Sequence, residues 1–133
     1  MTRSRSPFSY AVLRVVPDIE REEFLNVGLV LFCRARRYLR AGTSLNHRRL
    51  EAMRPDADAD GLLAQLRLIE TIAAGDVERG PLASMTQSER FHWLTTPRST
   101  AIQPGPIHGG MSDDPDATFD HLYATLVEQD RRA

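Results

Sequence analysis

Two apolar runs near the start of the chain, joined by a short charged segment, constrain the fold more than any other feature. The first run, Phe8 to Pro17, is rich in β-branched and aromatic residues and stops at a proline, which predicts a strand. The second run, Phe24 to Cys33, is apolar at nearly every position, and Gly28 with its neighbouring valines favours a strand over a helix. Because so apolar a strand has no side suited to water, we expect it to be covered on both faces near its middle.

Alternation along the strands predicts which of their side chains share a face. The segment Asp18 to Glu23 is too charged for a core and predicts a connecting loop. A third strand, Arg37 to Gly42, completes an antiparallel meander, and its Tyr38 and Arg40 suit an exposed sheet edge. Simple alternation along the second strand places four aliphatic side chains on one face, namely those of Leu25, Val27, Leu29 and Leu31.

Beyond Gly42 the apolar spacing changes to that of helices, and capping signals mark where each helix begins. The predicted fold class is α+β: a small antiparallel β-meander of three or four strands packed against two longer and two short helices. The longer helices are expected to cover a face of the sheet. The predicted helices are a short one from Ser44 or Asn46 to Met53, a longer one over Asp60–Ala74, a short one opened by the Thr86–Glu89 capping box and ended by Pro97, and a longer one over Asp114–Asp130.

The length of 133 residues predicts one globular domain, over residues 7–130, with flexible ends at residues 1–6 and 131–133. A single cysteine, Cys33, excludes an internal disulfide and is expected to be a buried thiol. No apolar run approaches the ~18 residues of a membrane span, and no secretory leader is apparent. We therefore expect a cytoplasmic protein that does not bind membranes.

The segment Pro97 to Gly110 is the most informative part of the chain for function. It holds three prolines and three glycines, and so long a loop in a small domain is often functional. The simpler interpretation is that these residues only shape a crossover. Two polar residues that interrupt the first strands join the loop's polar side chains as candidate ligand-binding residues, which are Arg14, Asn26, Arg98, Ser99, Gln103 and His108.

A buried arginine needs a carboxylate or several carbonyl groups, so Arg14 is expected to pair with Glu89 or with an acid of the Asp18–Glu23 segment. Two kinds of site are not expected. The chain has no lysine and no phosphate-binding GxxxxGK[ST] motif, which excludes a Walker-type nucleotide site. The histidines lack metal-ligand spacing, so no metal and no cofactor is predicted.

Charge is unevenly distributed although the net charge is only -1. No acidic residue occurs between Phe24 and Leu50, while acids flank this stretch on both sides. Such a basic block suits phosphates of a nucleic acid or an acidic partner, but a solvated edge strand is the simpler interpretation, because the protein as a whole is not basic. The candidate contact residues are Arg34, Arg36, Arg37, Arg40, Arg48 and Arg49.

Four stretches carry a family resemblance: YAVLRVVPDIEREEFLNVGLVLFC, RPDADADGLL, ERFHWLTTPRSTAIQPGPIHGG and DDPDATFDHLY. Together they resemble the bacterial domain of unknown function 3037 family over about Phe8 to Val127. The most specific parts are NVGLVLF and WLTTPRSTAIQP, while Gly105, where serine is expected, and Gly110 depart from the pattern. The resemblance implies no reaction. It implies an accessory or antitoxin-like role beside HipA-like kinases.

Three functions follow as hypotheses. The first is a non-enzymatic binding or accessory protein that acts through protein–protein contact. The second is a small enzyme or anion-binding domain, for which Arg98, Ser99, Gln103 and His108 must converge in one pocket. The third is nucleic-acid binding by the Arg34 to Arg49 block, with the salt dependence that phosphate contacts impose.

Overall fold

An antiparallel sheet of five strands forms the centre of the protein, seen in a computed structural model that describes residues 4–76, 80–98 and 100–128. The first three strands form the expected meander, and the order across the sheet is β3-β2-β1-β4, with β5 also paired to β1. This confirms the α+β class. The strands are β1 (Ser6–Val15), β2 (Leu25–Cys33), β3 (Tyr38–Thr43), β4 (Ile102–Pro104) and β5 (His108–Ser112).

The short strand β4 and most of β5 lie in the segment Pro97 to Gly110, which was expected to be a loop. β4 pairs with the end of β1, where Leu13 lies opposite Pro104, and β5 pairs with its beginning, where Tyr10 lies opposite His108. Proline is tolerated here because β4 is an edge strand with one side unpaired. Strands thus form in this segment despite its prolines and glycines, but they are short.

Four α-helices follow the capping signals of the sequence. Each begins after a polar residue whose side chain accepts a hydrogen bond from a first-turn backbone N–H; these residues are Asn46, Asp58, Thr86 and Asp114. Gly75, with φ of 77°, ends the second helix in the left-handed conformation. None of these helices is long and apolar enough to cross a bilayer. They are α1 (His47–Met53), α2 (Ala59–Ala74), α3 (Gln87–Thr95) and α4 (Pro115–Leu126).

The longer helices lie on opposite faces of the sheet, which corrects the expectation that they share one. α1, α2 and α3 pack through residues such as Leu50, Leu66 and Phe91 against one face in the larger core. α4 packs through Phe119 against the other face, on Leu29 and Leu31. Both faces of β2 carry apolar side chains, so each needs its own cover.

A β-bulge in β2 explains how one strand serves both cores. Leu13 pairs with Gly28 but the next residue, Arg14, pairs with Asn26, so Val27 is an extra residue. The extra residue reverses the alternation: Val27 faces the larger core, whereas Leu29, two residues later, faces α4. The expectation that residues 25, 27, 29 and 31 share a face is therefore wrong.

The ends of the domain fall partly outside the described residues. Ser6 already belongs to β1, while residues 1–3 and 131–133, predicted as flexible, lie outside the described part of the chain. α4 ends at Leu126, and the predicted helix end at Asp130 also lies outside it. Cys33 is fully buried, as expected for an unreactive thiol.

The capping box at the start of α3 gives a first testable prediction. Thr86 accepts a hydrogen bond from the Glu89 backbone N–H, and the Glu89 carboxylate accepts one from the Thr86 N–H. The second bond lowers the pKa of Glu89. Replacing Thr86 with alanine is expected to lower the free energy of unfolding by about 1 kcal/mol, measured by urea denaturation. Ser88→Ala, in the same turn but outside the box, is the control, and an equal effect of both variants contradicts the prediction.

Candidate functional site

A row of polar side chains crosses the sheet on the face that carries α4. Arg14 on β1 lies directly opposite Asn26 on β2 and directly opposite Gln103 on β4. Directly opposed residues of antiparallel strands project to the same face, so these three side chains are neighbours. The structure thus brings together three of the candidate ligand-binding residues.

Arg14 is held in place by apolar and backbone contacts rather than by a carboxylate. Its guanidinium carbon lies 4.1 Å from the centroid of the Phe24 ring. Gly105 packs so closely that a Cβ at this position would lie 3.0 Å from the same carbon. Glu89 caps α3 and Glu23 pairs with Arg21, and no acid among the described residues forms an ion pair with Arg14, so the expected pairing is not found there.

Two atoms in this row lack hydrogen-bond partners. Arg14 Nε is buried and has none, and Asn26 Oδ1 is buried and has none. The other end of the Asn26 amide is satisfied, since Nδ2 donates to the carbonyl oxygen of Leu126 at 3.1 Å. Burying an unpartnered polar group costs free energy, about 1–3 kcal/mol each. A cost of this kind often marks a functional position.

Further along β1, the same face of the sheet carries aromatic side chains that contact one another. Phe8 and Tyr10 stack with ring centroids 6.0 Å apart, and Tyr10 lies 5.3 Å from the ring of His108. Gly110 admits the Phe8 ring, because a Cβ there would lie 2.7 Å from it. α4 packs mainly on β2 and β3, and Phe8 and Tyr10 lie partly buried at the side of the smaller core that it forms with them.

We call this surface the open face; it consists of Phe8, Tyr10, Arg14, Phe24, Gln103 and His108. Phe24 is 48% exposed, and Ile107, the residue before His108, is 53% exposed. Gln103 is half-buried and its amide nitrogen donates to the Thr100 carbonyl at 3.1 Å. The open face therefore combines aromatic area with one cation that has no ion-pair partner among the described residues.

Arg98 lies on the opposite side of the sheet from the open face. It borders a pocket with Leu13 and Ile102, which alternate with Arg14 and Gln103 along their strands. Its guanidinium stacks on Trp93 at 3.9 Å from the ring centroid and donates to the Trp93 carbonyl. Burial lowers the pKa of Arg98. Ser99 lies outside the described residues.

The loop candidates are thus divided. His108 shares a face with Gln103, whereas Arg98 does not, so the described members of the proposed four-residue site do not meet in one pocket. The described residues also contain no cluster of three or more side chains suited to hold a metal ion.

The arginines of the central block have different environments. Arg36 donates to Ser6 and to the carbonyl groups of Ser4 and Asp113, which ties the start of β1 to the start of α4. Arg34 and Arg37 are exposed before β3, and Arg48 and Arg49 are exposed after it on α1. Arg40, also exposed, lies on β3 between these two pairs.

Arg40 completes a network that fastens α4 to the sheet edge. It pairs with Asp116 at 2.8 Å and Asp120 at 3.2 Å, and Tyr38 donates to Asp116 at 2.6 Å. Burial and this hydrogen bond raise the pKa of Tyr38 to about 12. The hydrogen bond from Tyr38, followed by Arg40, lowers the pKa of Asp116. These contacts give Arg36 and Arg40 structural roles.

Three members of the open face were not found from the sequence: Phe8, Tyr10 and Phe24. Their signal is present in retrospect, since Phe8, Tyr10 and Arg14 share the even positions of β1. Phe24 and Gly105 contact Arg14 only because of strand register and the β4 turn, which local sequence does not encode.

These observations define the class: a small α+β protein whose central sheet is covered by helices on one face and left partly open on the other. The chain belongs to the DUF3037 family, because the family model described as "Protein of unknown function (DUF3037)" matches residues 10–127. This confirms the resemblance seen in the sequence. No curated protein and no solved structure matches the chain.

Proposed function

We propose that this protein is a binding protein that docks a segment of a partner protein on the open face and recognises a carboxylate of that segment with Arg14. The observation that carries the proposal is the state of Arg14: a guanidinium fixed by Phe24 and Gly105, with a buried Nε that has no partner. A guanidinium offers five donors in a planar fork that matches a carboxylate.

The composition of the open face supports a protein partner. Arginine and tyrosine are enriched at the residues that dominate protein–protein binding, because they combine apolar area with a polar end. Phe24, which contacts Arg14, and Ile107, which precedes His108 in the chain, are both about half exposed. A partner that covers these side chains buries apolar area and gives the guanidinium an anion at the same time.

Charge supports an acidic segment over a basic one. Arg14 has no ion-pair partner among the described residues, and the neighbouring candidates Asn26 and Gln103 are neutral. A HipA-like kinase is the first partner to test, since the family resemblance implies one. The proposal itself depends only on the carboxylate and the apolar area.

Position-specific crosslinking in the native host tests the proposal. A photoreactive residue at Ile107, beside the open face, is expected to crosslink one defined protein. The same residue at Leu68, which is equally exposed on α2, is expected not to crosslink that protein. Arg14→Gln is expected to weaken binding of the purified partner at least about tenfold, because a hydrogen bond to a charged group is lost.

Two controls separate binding from folding. Arg48→Gln removes an equal charge from an exposed position on α1 and is expected to leave binding unchanged. Replacing the partner's carboxylate by an amide is expected to remove the effect of Arg14→Gln in a double-mutant cycle. Crosslinking that is no stronger at Ile107 than at Leu68, or binding that does not respond to Arg14→Gln, overturns the proposal.

A further inference from the structure

A pocket between α2, α3 and β4 lies on the face of the sheet opposite the open face. Its floor is apolar, formed by Leu13, Leu94 and Ile102, which are all nearly or fully buried. Leu68, at 48% exposed, stands at its mouth. Its volume is about 140 Å³, close to that of the engineered cavity of about 150 Å³ that takes up benzene.

A single cation stands at the edge of this apolar space. Arg98 lines the pocket with its guanidinium stacked on Trp93. Nε and Nη2 donate to the carbonyl groups of Thr96 and Trp93, which leaves Nη1 without a partner among the described residues. No carboxylate of the described residues pairs with it. The pocket therefore offers space for one ring beside hydrogen-bond donors of a positive group.

We infer that this pocket is a binding site for a small aromatic carboxylate, with the ring among Leu13, Leu94 and Ile102 and the carboxylate on Arg98. The apolar lining favours a ring over a polar body, because burial of its surface is favourable without hydrogen bonds. A hydrogen bond from Arg98 to an anion is stronger than one from a fully exposed arginine, because the partly buried charge of Arg98 is poorly solvated. The lowered pKa of Arg98 agrees with that burial.

The site is physically separate from the open face. Leu13 and Arg14 are consecutive residues of β1 and project to opposite faces of the sheet. A ligand in the pocket thus contacts none of the six open-face residues, so the inference does not rest on the proposed function. An experiment that contradicts the pocket inference therefore does not contradict the proposed function, and the reverse is also true.

Trp93 is the only tryptophan of the chain and lines the pocket, so its fluorescence reports occupancy directly. Phenylacetate is expected to change this fluorescence saturably, with a dissociation constant of roughly 1 mM for a ligand of this size. Phenylacetamide has the same shape without the charge and is expected to bind at least about tenfold more weakly. Acetate, which lacks the ring, is expected to have no effect.

Variants locate the ligand. Arg98→Gln is expected to weaken phenylacetate about tenfold and to leave phenylacetamide unchanged. Leu68→Glu places a negative charge at the mouth and is expected to weaken phenylacetate, whereas Ala64→Glu, on the same helix outside the pocket, is not. Amide chemical shifts of Ile69 and Leu94 in the unmodified protein provide a readout independent of Trp93.

Three outcomes overturn the inference. Equal binding of phenylacetate and phenylacetamide would show that Arg98 does not bind the carboxylate. Chemical-shift changes confined to the open face would show that the ligand binds there and not in the pocket. A terminal phenylalanine of a peptide carries the same ring and carboxylate, so N-acetylphenylalanine distinguishes the two sources. Tighter binding of N-acetylphenylalanine than of phenylacetate assigns the pocket to a chain terminus instead of a free acid.

Discussion

Replacing Arg90 with alanine is expected to lower the free energy of unfolding by about 3–5 kcal/mol, because three carbonyl groups lose a charged donor in a buried place. Arg90 is only 8% exposed. Its Nη1 donates to the carbonyl groups of Ile72 and Ala73 at 3.0 and 2.7 Å, and its Nε donates to that of Met85 at 2.9 Å. One side chain on α3 thus satisfies the last turn of α2, where backbone acceptors lack partners within the helix.

Urea denaturation of three variants separates this role from a simple loss of charge. Arg90→Lys keeps the charge but has one nitrogen in place of the planar fork, so an intermediate loss is expected. Arg67→Ala removes an exposed arginine from α2 and is expected to change the free energy of unfolding by no more than about 0.5 kcal/mol. An Arg90→Ala variant as stable as Arg67→Ala contradicts the prediction.

Arg90 and Arg14 show two ways of placing an arginine inside a small protein. Arg90 donates from Nε and Nη1 to three carbonyl groups of its own chain, so its structural role accounts for its burial. Arg14 is positioned by a ring and a glycine, and its Nε has no acceptor. A side chain kept only for stability gains nothing from an unpartnered donor. This contrast is the physical reason for placing the proposed binding function at Arg14.

Features encoded by neighbours in the sequence were predicted well. The Thr86–Glu89 capping box and the Asp58 and Gly75 signals of α2 depend on residues within one helical turn, and each is present in the structure. The meander of β1, β2 and β3 follows from apolar runs separated by short turns. Local physics therefore determined the elements and the fold class.

Features that depend on pairing between distant segments were not predicted. The bulge at Val27 exists only relative to β1, so alternation along β2 alone gave the wrong face for half of its side chains. β4 and β5 are strands because they pair with β1. Their own short sequences resemble loops, so the sequence alone did not predict them. The contact of Phe24 with Arg14 and the separation of Arg98 from Gln103 follow from the same register.

Replacing Phe119 with alanine is expected to lower the free energy of unfolding by about 3–5 kcal/mol, the range for deleting a buried aromatic ring. Phe119 is 1% exposed and is the residue of α4 buried against Leu29 and Leu31. Gly42 lets the ring approach the sheet, since a Cβ there would lie 3.0 Å from it. The Arg40 guanidinium covers the ring, 4.1 Å from its centroid.

The loss is expected to be concentrated in α4, because this helix is attached through a smaller core than α1, α2 and α3. Hydrogen exchange is expected to accelerate in α4 by a larger factor than in α2. Phe119→Leu keeps most of the apolar volume and is the matched control, with an expected loss below about 1.5 kcal/mol. If hydrogen exchange accelerates equally in α4 and α2, the prediction is wrong. Such a result would show that α4 cannot detach while the larger core stays folded.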